Sequence, residues 1–241
     1  SKCINCGACI RICPSNAFTG ITHDLDYIQQ FPYRVALIDP VLYSQFHEIF
    51  TPQQIIDGVK QLGFNDIYEI SNVTELITSF TKDYIASASK LPIISSSCPA
   101  IIRLIQLRFH NLIDHILPID SPVEISAFIA RQKALKNYMG PEEEIGIFYI
   151  SPCIARVFSF MEPLGISKTN VDGCLSIKSV FLMVSKQMSS PEESSDCHPP
   201  LKGIEWSRVE GQSKALEIKE YLAIDGIENV IEVLEEIEDN K

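Results

Sequence analysis

Residues 34–70, RVALIDPVLYSQFHEIFTPQQIIDGVKQLGFNDIYEI, contain a complete strand–helix–strand unit from which the fold can be read. The apolar run 34–38 has strand length and is ended by Asp39-Pro40. Thr51-Pro52-Gln53-Gln54 opens a helix, with a Thr cap, Pro at the first helical position and Gln at the capping-box position. Ile55, Ile56, Val59 and Leu62 follow at helical spacing, and Gly63 fits the stop. Residues 66–70 then read as a second strand. Strand and helix alternating at these lengths predict a mostly parallel sheet covered by helices.

Downstream the alternation continues. Asn72-x-x-Glu75 opens a helix, 92–97 reads as a third strand ending at Cys98-Pro99, and 99–109 reads as helical. Ser121-Pro122-Val123-Glu124 is a second capping box, predicting a helix over 122–138 that closes near Gly140. A strand over 144–150 ends at Ser151-Pro152-Cys153, followed by a short strand over 171–175 and a helix over 177–188. Residues 189–200 are polar and proline-rich, a surface loop or linker. Residues 214–239 carry helical patterning, and the acidic run 235–239 reads as a solvated face. The expected fold is α/β, with parallel sheets flanked by helices in two lobes, 31–140 and an incomplete 141–241. Ligands of such sheets collect at the carboxyl ends of strands. Cys98 and Cys153 are both expected at that edge, each beside a proline. A cysteine in an apolar stretch is also simply a small buried hydrophobe, and both readings stand.

Upstream, in a segment expected to span 1–30, the chain reads Cys3-x-x-Cys6-x-x-Cys9-x-x-x-Cys13-Pro14. That spacing is an iron–sulfur ligand loop of the 4Fe-4S type. Zinc sites favour two separated Cys-x-x-Cys knuckles instead. In two-cluster ferredoxins the fourth cysteine serves the other cluster, so either Cys13 closes its own cluster or its partners lie before residue 1. With its first ligand so close to Ser1, the chain reads as a fragment. The motif makes it an electron-handling protein.

Composition fits. The chain has 241 residues, 46% of them hydrophobic, enough for a real core. A net charge of −11 argues against nucleic acid, and no apolar run is long enough to span a membrane. Eight cysteines without a targeting segment point to a reducing cytoplasm. No glycine-rich nucleotide loop or nucleophile elbow is present. Cys174 reads as a buried structural thiol and Cys197-His198 as an exposed pair, while His23, His47, His110 and His115 lack ligand spacing.

Ser96-Ser97-Cys98-Pro99-Ala100 resembles the first signature of FeFe-hydrogenase large subunits, Thr-Ser-Cys-Cys-Pro. Ser151-Pro152-Cys153-Ile154-Ala155-Arg156 resembles the second, Met-Pro-Cys-x-x-Lys. Ser121-Pro122 matches the family's Ser-Pro helix start, and Val171-Asp172 its later Val-Asp step. The resemblance implies a hydrogen cluster in the intact protein, a 4Fe-4S cubane bridged to a two-iron unit carrying CO and cyanide. Cys98 and Cys153 would be two of its four thiolates. The other two belong to a glycine-rich Glu-x-x-x-Cys-x-x-x-Cys signature that the sequence does not contain, so the chain alone is expected to evolve no hydrogen.

The departures also carry meaning. The family's proton-relay cysteine is Ser97 here, a far weaker acid than a thiol. The cyanide-holding lysine is Arg156, which keeps the charge as a planar fork. Ser151 replaces the methionine, and Ser159 the glutamate three residues after the lysine. These changes resemble the sensory or slow branches of the family. The implied partner is a ferredoxin-like or other redox protein in an anaerobe, with a downstream signalling domain if the protein is a sensor. A plain ferredoxin-type carrier, with no role for Cys98 or Cys153, is the third reading.

Overall fold

The computed structural model describes residues 2–15, 17, 19–188, 201–208 and 210–239. Four strands, β1 (Tyr33–Ile38), β2 (Asp66–Glu69), β3 (Ile145–Ser151) and β4 (Gly173–Ser176), form a parallel sheet in the order β2-β1-β3-β4. At its centre β1 and β3 pair in register, from Tyr33 beside Ile145 to Ile38 beside Ile150. Every position of β3 and the last four of β1 are buried, as expected where helices cover both faces. The first two strands and the last two meet in one sheet through the β1–β3 pairing.

The helices are α1 (Ala8–Ile12), α2 (Pro52–Gln61), α3 (Thr74–Ser87), α4 (Pro99–Arg108), α5 (Pro122–Asn137), α6 (Ile154–Met161), α7 (Ile177–Gln187), α8 (Leu201–Trp206), α9 (Gly211–Leu216) and α10 (Ile227–Asp239). Because side chains alternate along a strand, the sheet divides its core in two. Val35, Leu37, Ile147 and Tyr149 face one layer with Ile77 of α3 and Ala127, Ala130 and Ala134 of α5. Ala36, Ile38, Phe148 and Ile150 face the other, with Ile55 and Val59 of α2 and Val180 and Val184 of α7. A third apolar cluster joins Leu104 and Ile105 of α4 to Leu234 of α10, and Ile4 from the N-terminal loop packs against it.

Local signals held where they were strongest. The Thr51 capping box forms in full, with the Thr51 side chain accepting from Gln54 N–H and the Gln54 side chain accepting from Thr51 N–H. At Ser121 only half of the box forms, since its hydroxyl accepts from Glu124 N–H while the Glu124 carboxylate turns elsewhere. That carboxylate accepts from Thr169 Oγ1 and Asn170 N–H, tying the loop before β4 to α5. Helix α3 starts at Thr74 rather than being capped by Asn72, because a 3-10 turn over Ile70–Val73 takes up the preceding residues. The patterning over 214–239 resolves into α9 and α10, with Glu217 left-handed at the end of α9.

The third strand expected over 92–97 does not form. Ile94 alone makes a parallel bridge, to Ile116, through hydrogen bonds from Ile94 N–H to His115 O and from Leu117 N–H to Ile94 O. Pro92 has no N–H for a ladder, Ser97 N–H donates locally to Ser95 Oγ, and Ser96 Oγ donates to Ile119 O. Cys98 therefore lies at the start of α4, away from the sheet, and only Cys153 follows a strand. At the opposite edge His23 bridges to Leu175, its N–H donating to Cys174 O. The 189–200 loop, including Cys197-His198, lies outside the described residues.

Ile147, fully buried at the sheet centre, is expected to destabilise the protein by about 3–4 kcal/mol when changed to Ala. Met139→Ala, at a fully exposed site, is expected to leave the urea midpoint unchanged in the same titration.

Candidate iron–sulfur site at the carboxyl edge of the sheet

The N-terminal loop turns through two left-handed residues, Asn5 at φ 57 and Gly7 at φ 76. These reversals separate Cys3, Cys6 and Cys9, the last carried on α1. Cys13 ends that helix in an extended conformation, and Pro14 leads the chain away. Backbone amides point at two of the sulfurs: Asn5 N–H donates to Cys3 Sγ at 3.4 Å and Ala17 N–H to Cys13 Sγ at 3.3 Å. Such donors favour thiolate and tune iron–sulfur clusters. None of the seven described cysteines is in a disulfide. Among the described residues no three His, Cys, Asp or Glu side chains are grouped closely enough to hold a metal ion. Four thiols at this spacing, with amide donors to sulfur, are nonetheless the donor set a cubane takes, and the residues fit that group.

This loop is seated against the helix that Cys153 begins. Ile154, the first residue of α6, fills the notch left by two glycines: a Cβ at Gly7 would lie 2.4 Å from Ile154 Cγ2, and one at Gly20 2.3 Å from Ile154 Cδ1. Cys98 and Cys153 hold equivalent places, each the extended N-cap of its helix and each beside a proline. Helices α4 and α6 pack together and are linked by Arg103 and Glu162 at 2.8 Å. Ile4 and Asn5 share a narrow crevice with Pro99 and Arg103 of α4 and with Ala155 and Phe158 of α6. The structure thus brings the N-terminal loop to the starts of both cysteine-capped helices. Ser151, in the methionine position, braces that turn: its Oγ donates to Cys153 O and accepts from Cys153 N–H.

Arg156, one turn into α6, is committed to the end of β1. Its Nη1 donates to Asp39 Oδ2 at 2.7 Å and to the Tyr149 hydroxyl at 2.9 Å, while Tyr149 donates to the same carboxylate oxygen at 2.8 Å. Asp39 and Tyr149 are buried. Burial pushes the Tyr149 phenol well above its ordinary range, so it stays a neutral donor. Neither partner was singled out from sequence. Asp39 had read as strand punctuation, although a carboxylate at the carboxyl end of a parallel strand was the available signal. Ser97 belongs to a different group, its Oγ accepting from Gln212 Nε2 of α9 at 2.8 Å. Ser159 donates to Arg156 O within its own helix.

The remaining candidates serve the fold. Asp172 accepts from Ile147 N–H and from Arg131 of α5, which explains the Val-Asp step structurally. Cys174 is buried in β4; burial first, then Glu124, pushes its thiol well above the ordinary range. A cleft of about 640 Å³ opens beside Ser96 and Pro99, walled by Ile102, Ile119 and Ile125 and reaching Ser159. No described helix is long and apolar enough to cross a membrane.

A parallel α/β sheet with an iron–sulfur loop seated on cysteine-capped helices defines a redox protein built around clusters. The chain belongs to the family of the iron-only hydrogenase large subunit, C-terminal domain, which it matches over residues 33–201, preceded by a 4Fe-4S binding domain over residues 1–19. The second match assigns a 4Fe-4S cluster to the N-terminal segment. The NADP-reducing hydrogenase subunit HndD of Solidesulfovibrio fructosivorans is 21% identical over 182 residues, 67% of this chain and 31% of that protein. The fold is similar to FeFe-hydrogenase HydA1 from Chlamydomonas reinhardtii. One variant matches with a TM-score of 0.58 and 16% identity over 72% of this chain and 49% of that one. Another matches with a TM-score of 0.53 and 14% identity over 90% and 55%. The matched region thus spans less than a third of the curated relative and about half of the solved structures.

Asp39→Ala is expected to cost about 3 kcal/mol in urea unfolding, because it strands the Arg156 guanidinium and the buried Tyr149 hydroxyl. Tyr149→Phe keeps the ion pair and is expected to cost about 1 kcal/mol. The raised Cys174 pKa adds stability that is fully present below the unfolded thiol value of about 8.5 and is lost as pH rises above it. Cys174→Ala is therefore expected to flatten the alkaline fall in stability by up to about 1.4 kcal/mol per pH unit, read from unfolding curves between pH 8 and 10.

Proposed function

We propose that this chain forms the electron-receiving part of a hydrogenase-type iron–sulfur protein. In this reading Cys3, Cys6, Cys9 and Cys13 hold a 4Fe-4S relay, and Cys98 and Cys153 give two thiolates to a deeper cubane. The observation that supports it most is the seat of Ile154, next to Cys153, between Gly7 and Gly20 of the N-terminal segment. When bound, the relay supplies one-electron transfer, and the deeper cluster supplies the family's proton and hydrogen chemistry.

The chain's own contribution is placement. The glycine notch holds the relay segment against α6, and the exposed Cys3, Cys6 and Cys9 face an incoming redox partner of ferredoxin type. Asp39 and Tyr149 fix the Arg156 guanidinium at the carboxyl edge, while Gln212 orients the Ser97 hydroxyl. A serine hydroxyl yields its proton far less readily than a thiol near neutral pH. An Arg156 already engaged by Asp39 is less free than an unpaired lysine to meet a cluster ligand. Both features favour a slow or sensing role, in which a downstream signalling domain reads the cluster in the cytoplasm, over rapid hydrogen turnover.

Anaerobic reconstitution with iron and sulfide tests this reading. Cys3→Ala/Cys6→Ala is expected to lose about four irons per chain and the low-temperature EPR signal of the reduced relay. Cys98→Ala/Cys153→Ala is expected to keep that signal and to bind less iron than the unmodified chain. Equal iron in the unmodified chain and the Cys98/Cys153 double variant would leave a ferredoxin-type carrier as the answer.

A further inference from the structure

Because strand pairing stops at Ile94, the turn that leads into Cys98 has no ladder to hold it. Among the described residues, Ile94 N–H donates to His115 O and Ile94 O accepts from Leu117 N–H, and the next backbone carbonyl to accept a backbone hydrogen bond is that of Cys98. Residues 95–97 are tied to the rest of the protein through their side chains. Ser96 Oγ donates to Ile119 O at 2.9 Å. The other two serines meet a single residue, Gln212 of α9. Ser95 Oγ donates to Gln212 Oε1 at 2.9 Å, and Gln212 Nε2 donates to Ser97 Oγ at 2.8 Å. The two hydroxyls are themselves 3.2 Å apart, and Ser97 N–H donates to Ser95 Oγ at 3.3 Å. One carboxamide thus closes a hydrogen-bonded ring over the residues just before Cys98.

Gln212 stands on a fixed support. Helix α9 begins hard against the end of α8, since a Cβ at Gly211 would lie 2.1 Å from Glu205 O and 2.5 Å from Trp206 O. The buried Trp206 indole donates to Thr78 Oγ1 of α3 at 3.2 Å, and Glu217, just past α9, pairs with Lys82 of α3 at 3.0 Å. We propose that Gln212 is a positioning residue for Cys98: from the α8–α9 corner it clasps Ser95 and Ser97 and so presets the turn that presents the thiol. The proposal rests on the reading of Cys98 as a cluster ligand and deepens it. Ligand groups serve a cluster well when the groups around them fix their geometry to a fraction of an ångström. Without the clasp, the backbone freedom of three serines would be lost only when iron binds, and binding would be weaker for it.

Amide hydrogen exchange by NMR and iron content, both measured on the full chain, read the two halves of this proposal. Gln212→Leu keeps the bulk and removes both hydrogen bonds. In the iron-free protein it is expected to speed exchange of the Ser97 amide on the order of tenfold, while the Ile94 and Leu117 amides, held by the bridge, keep their rates. After anaerobic reconstitution with iron and sulfide, it is expected to lose most of the iron that Cys98→Ala/Cys153→Ala also loses, with the relay EPR signal retained. Gln212→Glu, whose carboxylate accepts from both serine hydroxyls, is expected to restore the slow Ser97 exchange and the iron together. Gln212→Ala, run in parallel, is expected to behave as Gln212→Leu without added branching. Faster exchange at Ile94 and Leu117 as well would show a general loss of structure and overturn the positioning role. An unchanged Ser97 rate in Gln212→Leu would remove the clasp, and a faster Ser97 rate with full iron would remove its bearing on Cys98. Equal iron in the unmodified chain and the Cys98/Cys153 double variant would instead overturn Cys98 as a ligand, with the clasp still read from Ser97 exchange.

Discussion

Parallel strands cannot be joined by a tight hairpin, so pairing β1 with β3 obliges the chain to leave the sheet and return in the same direction. Most of the molecule's geometry follows from that requirement. The register sets Ile38 beside Ile150, and the chain leaves β1 at Asp39 and β3 just after Ser151, at the same edge. Asp39 can then meet Tyr149 from within β3 and Arg156 from the helix after it. The same exit delivers Cys153 and Ile154 to the N-terminal loop. A slip of one residue in this pairing would exchange the residues that face the two core layers and separate Asp39 from Arg156.

Elements specified by neighbouring residues were readable from the sequence, and those specified by distant partners were not. Thr51-Pro52-Gln53-Gln54 carries its own cap, and the helix begins there as read. The stretch 92–97 carries strand-like residues, but only Ile94 finds a ladder partner, Ile116, while its three serines are tied to Ile119 and to Gln212 of α9, so an apolar start became a single bridge. The cysteine loop announced its chemistry through spacing alone, because iron–sulfur ligation is a local pattern. The environment of Arg156 was not visible: Asp39 and Tyr149 come from other strands, and a tyrosine in an apolar strand reads as core. The fit of Ile154 between Gly7 and Gly20 likewise has no signature in a single sequence. Each of the three residues is ordinary until the fold places them together.

The structure also gives the substitutions a common physical sense. A lysine would present a compact ammonium at the end of a flexible stem, whereas Arg156 offers a planar fork with one nitrogen held by a buried carboxylate and a phenol. Ser97, held by Gln212 from α9, is similarly anchored. Where the resembling signatures carry a thiol and an amine, this chain carries groups tied into the scaffold.

The bridge from His23 to Leu175 has a consequence for modularity. An outer strand of a sheet offers unpaired amides and carbonyls to any passing chain, and proteins cover such edges to avoid edge-to-edge aggregation. Here the cover over part of β4 is supplied by the stretch that runs on from the cysteine loop. The N-terminal segment is therefore no detachable accessory. A truncation through His23 would strip the sheet edge as well as the cysteines, and the shortened protein would be prone to self-association.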